Sequence, residues 1–495
     1  MPVGSLPAVG GSRGIRLGGG EELVREGGKR LRRPAPSVWS AGLRVVPKLC
    51  WSPAARSSTG SVSPTRQPVD WQSGPGLHPW PVGAWSLGLS PAWFLIVAAN
   101  LAATAAAAAW VVSSPNTIGG DFHAFYAAGW MFRHAENPYA TGALRHVAAR
   151  VTGDPSLIAP RFVYLPWFGL AMAPLSLLPY KLAFWLWDVL ILSTLWATIY
   201  GWARSLAWGR PWLAATVVAI SASAAISYLL GQTPIFAVAA MVGGLWALRS
   251  GRPFWAGALV AAGALLKPQD MWPLLPLLLV AGQQRSWAFT LRTFIGELVA
   301  ASVLLLVPAI LVPGVLHDAI SGMTGFASQS NAHLMSLGVP GWLSLFPANA
   351  GPSGALHRVV LTAIAIAGVA AAVAATLCVA RSSIASGLPW ARQVDWLVLL
   401  PLGVWIMASP YGNPEDVVVF WPLALLALGT GSSSRYRGVL IAFGMSALGA
   451  LLLITPQYAY PWYSLAAVPL IALLVVAFRS FHDELGRLAT VSPPG

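Results

Sequence analysis

Residues 162–179 read FVYLPWFGLAMAPLSLLP. The stretch is apolar enough to enter a bilayer, and whether it crosses one fixes the side on which every later loop lies. Pro166, Pro174 and Pro179 interrupt it, and each removes a backbone donor from any helix it enters. The stretch therefore reads as a re-entrant or broken element, tolerated at membrane depth only where protein or a cavity covers its backbone.

The surrounding chain makes a membrane the relevant solvent. Of 495 residues 56% are hydrophobic and 9% charged, with a mean hydropathy of +0.65. A soluble domain carries about 25% charged residues. Continuous apolar runs recur rather than the alternation of an outer-membrane barrel. The 25 Trp and 11 Tyr gather near segment ends, as in interfacial aromatic belts. The expected class is an all-α polytopic membrane protein.

Outward from 162–179, arginines recur in pairs: Arg204/Arg210, Arg249/Arg252, Arg285/Arg292, Arg381/Arg392, Arg435/Arg437 and Arg479/Arg487. Two apolar segments separate each pair from the next, the positive-inside pattern of a chain that leaves and returns. The segments are 182–202, 212–230, 235–248, 254–266, 271–281, 290–312, 357–379, 394–409, 416–429, 438–455 and 461–478. A first span at 91–112, containing WFLIVAANLAATAAAAAWVV, brings the expected number to about 12, with re-entrant and interfacial helices besides. Counting 162–179 as a further span would move every later pair outside. Segments 235–248 and 271–281 are short for a bilayer of about 30 Å.

Residues 1–90 hold 11 Lys/Arg and 4 Asp/Glu, so this stretch carries half of the net charge of +14. Rich in Gly, Pro, Ser and Arg, it reads as a disordered basic cytoplasmic tail. Residues 91–480 form the expected transmembrane domain, with a first outer loop at 113–161, and 481–495 a short cytoplasmic tail. Cys50 and Cys378 read as free thiols.

This topology gathers five polar motifs on the outer face: GGDFHAFY (119–126), GQTP (231–234), LKPQD (266–270), SNAHLMS (330–336) and SPYGNPED (409–416). Asp121 follows two glycines and opens a run expected to form an amphipathic interfacial helix. Its carboxylate reads either as functional or as a helix N-cap. Lys267 is either a snorkelling anchor or a point charge for a phosphate, which Arg133 and Arg161 can complete. Further substrate-site candidates are His123, Tyr126, Gln232, Asn331, His333, Asn413, Glu415 and Asp416. Asp188 and Glu297 fall within expected spans, where acids are functional suspects. Walker A, GxGxxG, HExxH and Cys/His zinc patterns are absent. No metal ligand set or cofactor is expected, nor nucleic acid as a partner.

The order GGDFHAFYAAGWMFRHAENPYA (119–140), FVYLPWFGLAMAPLSLLP, LLGQTPIFAVAA (229–240) and AGALVAAGALLKPQD (256–270) resembles glycosyltransferase family 87. The likeness returns at MASPYGNPEDVVVFWPL (407–423). The resemblance implies a GT-C-class enzyme that takes a sugar, commonly mannose, from a polyprenyl-phosphate donor. It implies Asp121 as the catalytic base, Lys267 near the donor phosphate and a structural role for Asn137-Pro138-Tyr139. The acceptor would be a glycolipid or lipoglycan, at the extracytoplasmic face of the cell membrane. SQSNAHLMSLG (328–338) matches the family only loosely, and Asn413, Glu415 and Asp416 stand where relatives carry aromatic and His residues. A lipid-linked-sugar flippase or transporter has a similar span pattern, as does a non-catalytic assembly partner. An internal repeat, common in transporters, is not apparent.

Overall fold

The computed structural model describes residues 119–153, 161–329, 355–409, 413–430 and 467–491, with isolated helical residues at 98, 102, 105 and 339. The expected tail 1–90, most of the first span and the segment 438–455 lie outside them. All regular structure among the described residues is helical.

Two helices open it, α1 (Gly120–Arg133) and α2 (Thr141–Thr152). Then comes α3 (Pro166–Ala171), followed by a short 3₁₀ turn (Leu175–Leu177). The prolines of 162–179 thus allow six residues of α-helix before the chain breaks. The next elements are α4 (Tyr180–Ser205), α5 (Pro211–Ala219), α6 (Ala222–Leu230), α7 (Pro234–Arg249) and α8 (Pro253–Leu266). They are followed by α9 (Pro268–Met271), α10 (Leu274–Gln283), α11 (Trp287–Leu311) and α12 (Val315–Gln329). The last are α13 (Ala355–Ala385), α14 (Trp390–Ala408), a 3₁₀ helix (Pro414–Phe420), α15 (Trp421–Thr430) and α16 (Ala467–Val491). Helices α3, α5, α7, α8 and α9 each begin with proline, where its missing N–H costs nothing and its fixed φ suits the first turn.

Among the described residues four helices are long and apolar enough to cross a bilayer: α4, α11, residues 359–385 of α13, and α14. The pair α5 and α6, bent by 56° at its break, makes a fifth if taken as one span. Among the described residues the expected spans 235–248, 254–266, 271–281 and 416–429 are shorter or interrupted. Helices α7 and α8 have 16 and 14 residues, roughly 24 and 21 Å at 1.5 Å per residue. Segment 271–281 is divided between α9 and α10, and 416–429 between a 3₁₀ helix and α15. Residues 481–491, expected in a tail, continue α16, with Phe481 and Glu484 buried.

Helix α14 is central and α11 peripheral: 78% of the apolar window is buried in the first and 17% in the second. Leu298, Val303, Leu306 and Ile310 stay exposed along α11, as suits a lipid-facing surface. Its inner side meets α8 at very close range. A Cβ on Gly257 would lie 2.0 Å from the Thr293 carbonyl oxygen, and one on Gly296 2.0 Å from that of Phe254. Small residues allow this approach where lipid supplies no hydrophobic drive.

The far end of α7 and the start of α14 hold a buried ion network. Arg249 pairs with Asp395, Arg392 lies 3.6 Å from Glu484, and Trp396 Nε1 donates to Glu484 at 2.7 Å. It ties α7, α14 and α16 together. Asp188 in α4 and Glu297 in α11 each bury one carboxylate oxygen without a hydrogen-bond partner. Cys378 is buried.

Helix α1 departs from expectation. It is not an amphipathic surface helix: Phe122, Ala124, Phe125, Ala127, Ala128, Met131 and Phe132 are all buried. These residues surround the helix rather than marking one face, so it packs on most sides. Phe122 meets Tyr180, Phe184 and Trp187, and Phe125 stands edge-on to Tyr164 and Phe168.

Candidate active site

Four of the five polar motifs converge at one end of the bundle. The fifth, with Asn331 and His333, lies outside the described residues.

Asp121 occupies the first turn of α1, where the helix dipole favours an anion. The N-cap is Gly119, at φ 69°, and no side chain caps the helix, so the N-cap reading of Asp121 falls. Asp121 instead accepts a hydrogen bond from Gln232 Nε2 on its Oδ2. Local sequence explains the meeting. Gly231, at φ 71°, ends α6 in the left-handed region that glycine enters freely. A Cβ there would lie 2.7 Å from that of Phe122. Trp187 Nε1 donates to the Gly231 carbonyl at 2.9 Å. Pro234 then starts α7, leaving Gln232 and Thr233 in the turn beside α1.

Gln232 is buried and its Oε1 accepts from the Tyr164 hydroxyl at 3.0 Å. Thr233 Oγ1 donates to the same hydroxyl oxygen at 3.2 Å. The Tyr164 carbonyl accepts from Tyr139 OH. Asn137 supports this turn, accepting from Tyr139 N at 3.0 Å and donating to Asp318 at 2.6 Å. The Asn-Pro-Tyr motif therefore braces the site.

Beside Asp121 lies a buried charge cluster. Lys267, where α8 ends, is 3.0 Å from Asp416 and 3.9 Å from Glu415. Asp416 is fixed by a capping box in which Asn413 N donates to its carboxylate at 2.9 Å. Ser409 donates to Asp270 at 3.0 Å. Lys267, Asp270, Glu415 and Asp416 are all at least 96% buried, whereas Asp121 is half-buried.

The electrostatics follow from one cation among four acids. Burial raises Asp121 to about 6, while Lys267 and the Gln232 amide pull it down. Burial, then the Asp416 charge, push Glu415 up to about 8 and Asp270 far above the carboxylate range. Burial opposes the Lys267 ammonium, but Asp416, Tyr164 and Glu415 outweigh it and hold the lysine charged. At pH 7 the site thus contains the Lys267–Asp416 pair, a mostly protonated Glu415 and a mostly ionised Asp121.

Lys267 is neither a snorkelling anchor nor an unpaired cation. Arg133 is exposed at the opposite end of α1, about 18 Å away along a rise of 1.5 Å per residue, and donates to the Ser176 carbonyl at 2.8 Å. It does not join Lys267. Arg161 is exposed ahead of α3. His123 is buried and stacks on Tyr180, and Tyr126 donates to the Leu178 carbonyl at 2.6 Å; both brace α1. Asp270, Tyr164, Thr233 and Ser409 enter the site without having been singled out. Asp270 could have been found from its place in LKPQD, three residues after Lys267. Tyr164 carries no such signal, since in an apolar stretch it reads as one more interfacial aromatic.

Among the described residues no group of three or more His, Cys, Asp or Glu side chains is arranged to hold a metal ion. A comparison with curated proteins finds no match. The family model of glycosyltransferase family 87 matches residues 162–410, half of the chain, and takes in Tyr164, Gln232, Lys267, Asp270 and Ser409. The chain belongs to glycosyltransferase family 87 and is a membrane glycosyltransferase.

Proposed function

We propose that the protein moves a hexose, most simply mannose, from a polyprenyl-phosphate donor to a hydroxyl of a glycolipid or lipoglycan. The reaction takes place at the extracytoplasmic face of the cell membrane, in a GT-C-type chain of about twelve spans. The observation that carries this reading is Asp121: a half-buried carboxylate, raised to about 6 and held by Gln232 beside Lys267. Such an acid is ionised at neutral pH yet basic enough to take a proton during attack.

In the proposed step the acceptor oxygen attacks the anomeric carbon as Asp121 removes its proton. The new carbon–oxygen bond forms while the bond to the phosphate oxygen breaks. The electron pair leaves on the phosphate and the sugar inverts. A phosphate leaves without a general acid, so one carboxylate suffices, whereas an inverting glycosidase needs two. Lys267 supplies positive charge near the leaving phosphate, and neutral Glu415 can donate a hydrogen bond to it.

The test is sugar transfer in membranes supplied with labelled polyprenyl-phosphate mannose and a lipid extract. Wild type should label a glycolipid, and Asp121→Asn at equal abundance should lose 10²–10⁴-fold of the rate, the usual worth of a positioned base. Equal labelling by both would overturn the assignment of Asp121. Labelling by neither would reject this donor and acceptor class.

A further inference from the structure

The Asp121 carboxylate meets the rest of the protein through a chain of three buried side chains, Thr233, Tyr164 and Gln232. A glutamine amide has a donor end and an acceptor end of nearly equal shape. Only the donor end favours a carboxylate. Something must decide which end faces Asp121.

The hydrogen bonds make that decision. Thr233 Oγ1 gives its proton to the Tyr164 hydroxyl oxygen at 3.2 Å. Tyr164 has one proton, and it goes to Gln232 Oε1 at 3.0 Å. With Oε1 engaged, Nε2 is turned to Asp121. Tyr164 is itself fixed, its ring edge-on to Phe125 at 4.8 Å and its carbonyl accepting from Tyr139 OH. Gln232 and Tyr164 are at least 91% buried and Thr233 fully so, so water does not compete for these partners. A hydrogen bond to the charged form of an acid lowers its pKa, and the donors of such a chain polarise one another.

We infer that Gln232 and Tyr164 are positioning residues that set the orientation and protonation state of Asp121. This deepens the proposed function and rests on it only for the catalytic consequence. The other titratable groups around Asp121 are Lys267 at the end of α8, Tyr164 itself and Glu415 in the 3₁₀ helix. Tyr180 lies beside Gly119 at the start of α1, with His123 stacked on it. Tyr228 of α6 is engaged with the Ala219 carbonyl at 3.0 Å. On α2, Arg145, His146 and Arg150 are exposed.

The experiment follows the Asp121 carboxyl directly. Infrared difference titration of the full-length protein in detergent gives its protonated-carboxyl band, identified by its loss in Asp121→Asn. The midpoint should rise by about one pH unit in Gln232→Met, which keeps the volume and removes the donor, and by about half a unit in Tyr164→Phe. The rising limb of the rate–pH profile should move by the same amounts. A Gln232→Met or Tyr164→Phe midpoint equal to wild type overturns the inference. If the band shifts as expected while Asp121→Asn still transfers sugar, the positioning stands and the base assignment fails. The titration needs no substrate, so the two failures are distinguishable.

Discussion

An acid kept partly dehydrated for catalysis should weaken the fold that holds it, and Asp121 allows this to be measured. Its folded value of about 6 stands above the usual 3.8, so folding favours the protonated form. The contribution to stability is full below about pH 4 and is lost as the pH rises toward 6. Beyond 6 the loss is complete and constant. At about 1.4 kcal/mol per pKa unit, ionised Asp121 costs about 3 kcal/mol at pH 7. Asp121→Asn keeps an acceptor for Gln232 Nε2 and removes the charge. The variant should melt roughly 3 °C higher than wild type at pH 7, while losing transfer activity. The gap should close by about pH 4. Thermal unfolding of both proteins in one detergent, from pH 4 to 8, is the assay. A gap that does not change with pH, or a variant less stable at pH 7, would refute the argument that burial strains this carboxylate.

Other expectations follow from the same cluster and from the helix seam. Glu415 is raised from 4.5 to about 8, so wild-type stability should fall as the pH rises from about 4.5 to 8, and Glu415→Gln should flatten that fall in the same melting series. Lys267→Met strands the buried Asp416 carboxylate and should cost about 3–5 kcal/mol, read as lost membrane abundance and a lower melting point. Lys267→Met with Asp416→Asn should recover much of that stability but not the transfer rate; recovery of both would show that the lysine only braces the fold. Gly296→Ala drives a methyl into the Phe254 carbonyl and should destabilise by about 1–3 kcal/mol, whereas Gly314→Ala, at a position with open space but positive φ, should cost less.

How far the sequence could be read depended on how far each interaction reaches along the chain. Proline and glycine act locally, so the break in 162–179 was visible as text. Charge parity grouped GGDF, GQTP, LKPQD and SPYGNPED, and side chains from all four come together in the structure. Partnership was not visible. Lys267 looks like a cation facing outward because nothing near it in sequence announces Glu415 and Asp416. Arg133 looks like a neighbour of Asp121 because both stand in one short motif, but a helix between them carries it to the far end. The burial of α1 was hidden for a related reason: its apolar residues fit a surface stripe as well as a fully packed helix until α2, α3 and α4 are laid around it.

The Asp121–Gln232 bond joins residues 111 positions apart, and Ser409–Asp270 joins residues 139 positions apart. These links bear on how the protein is made. As the chain emerges from the ribosome, Lys267 enters the membrane region well before the segment that neutralises it. Until residues 413–416 arrive, α8 ends in a charge that lacks its salt-bridge partners Glu415 and Asp416, with Asp121 and Asp270 the acids of the cluster made by then. The end of α8 therefore gains its ion pair only when a late segment docks, although α11 already packs against the body of the helix. Chains stopped before residue 413 should expose Lys267 to aqueous amine reagents and be cleared by membrane quality control, whereas chains stopped after α15 should protect it. The charge pair at the site thus forms last, closing a cluster whose other members, Asp121, Lys267 and Asp270, are made well before residues 413–416.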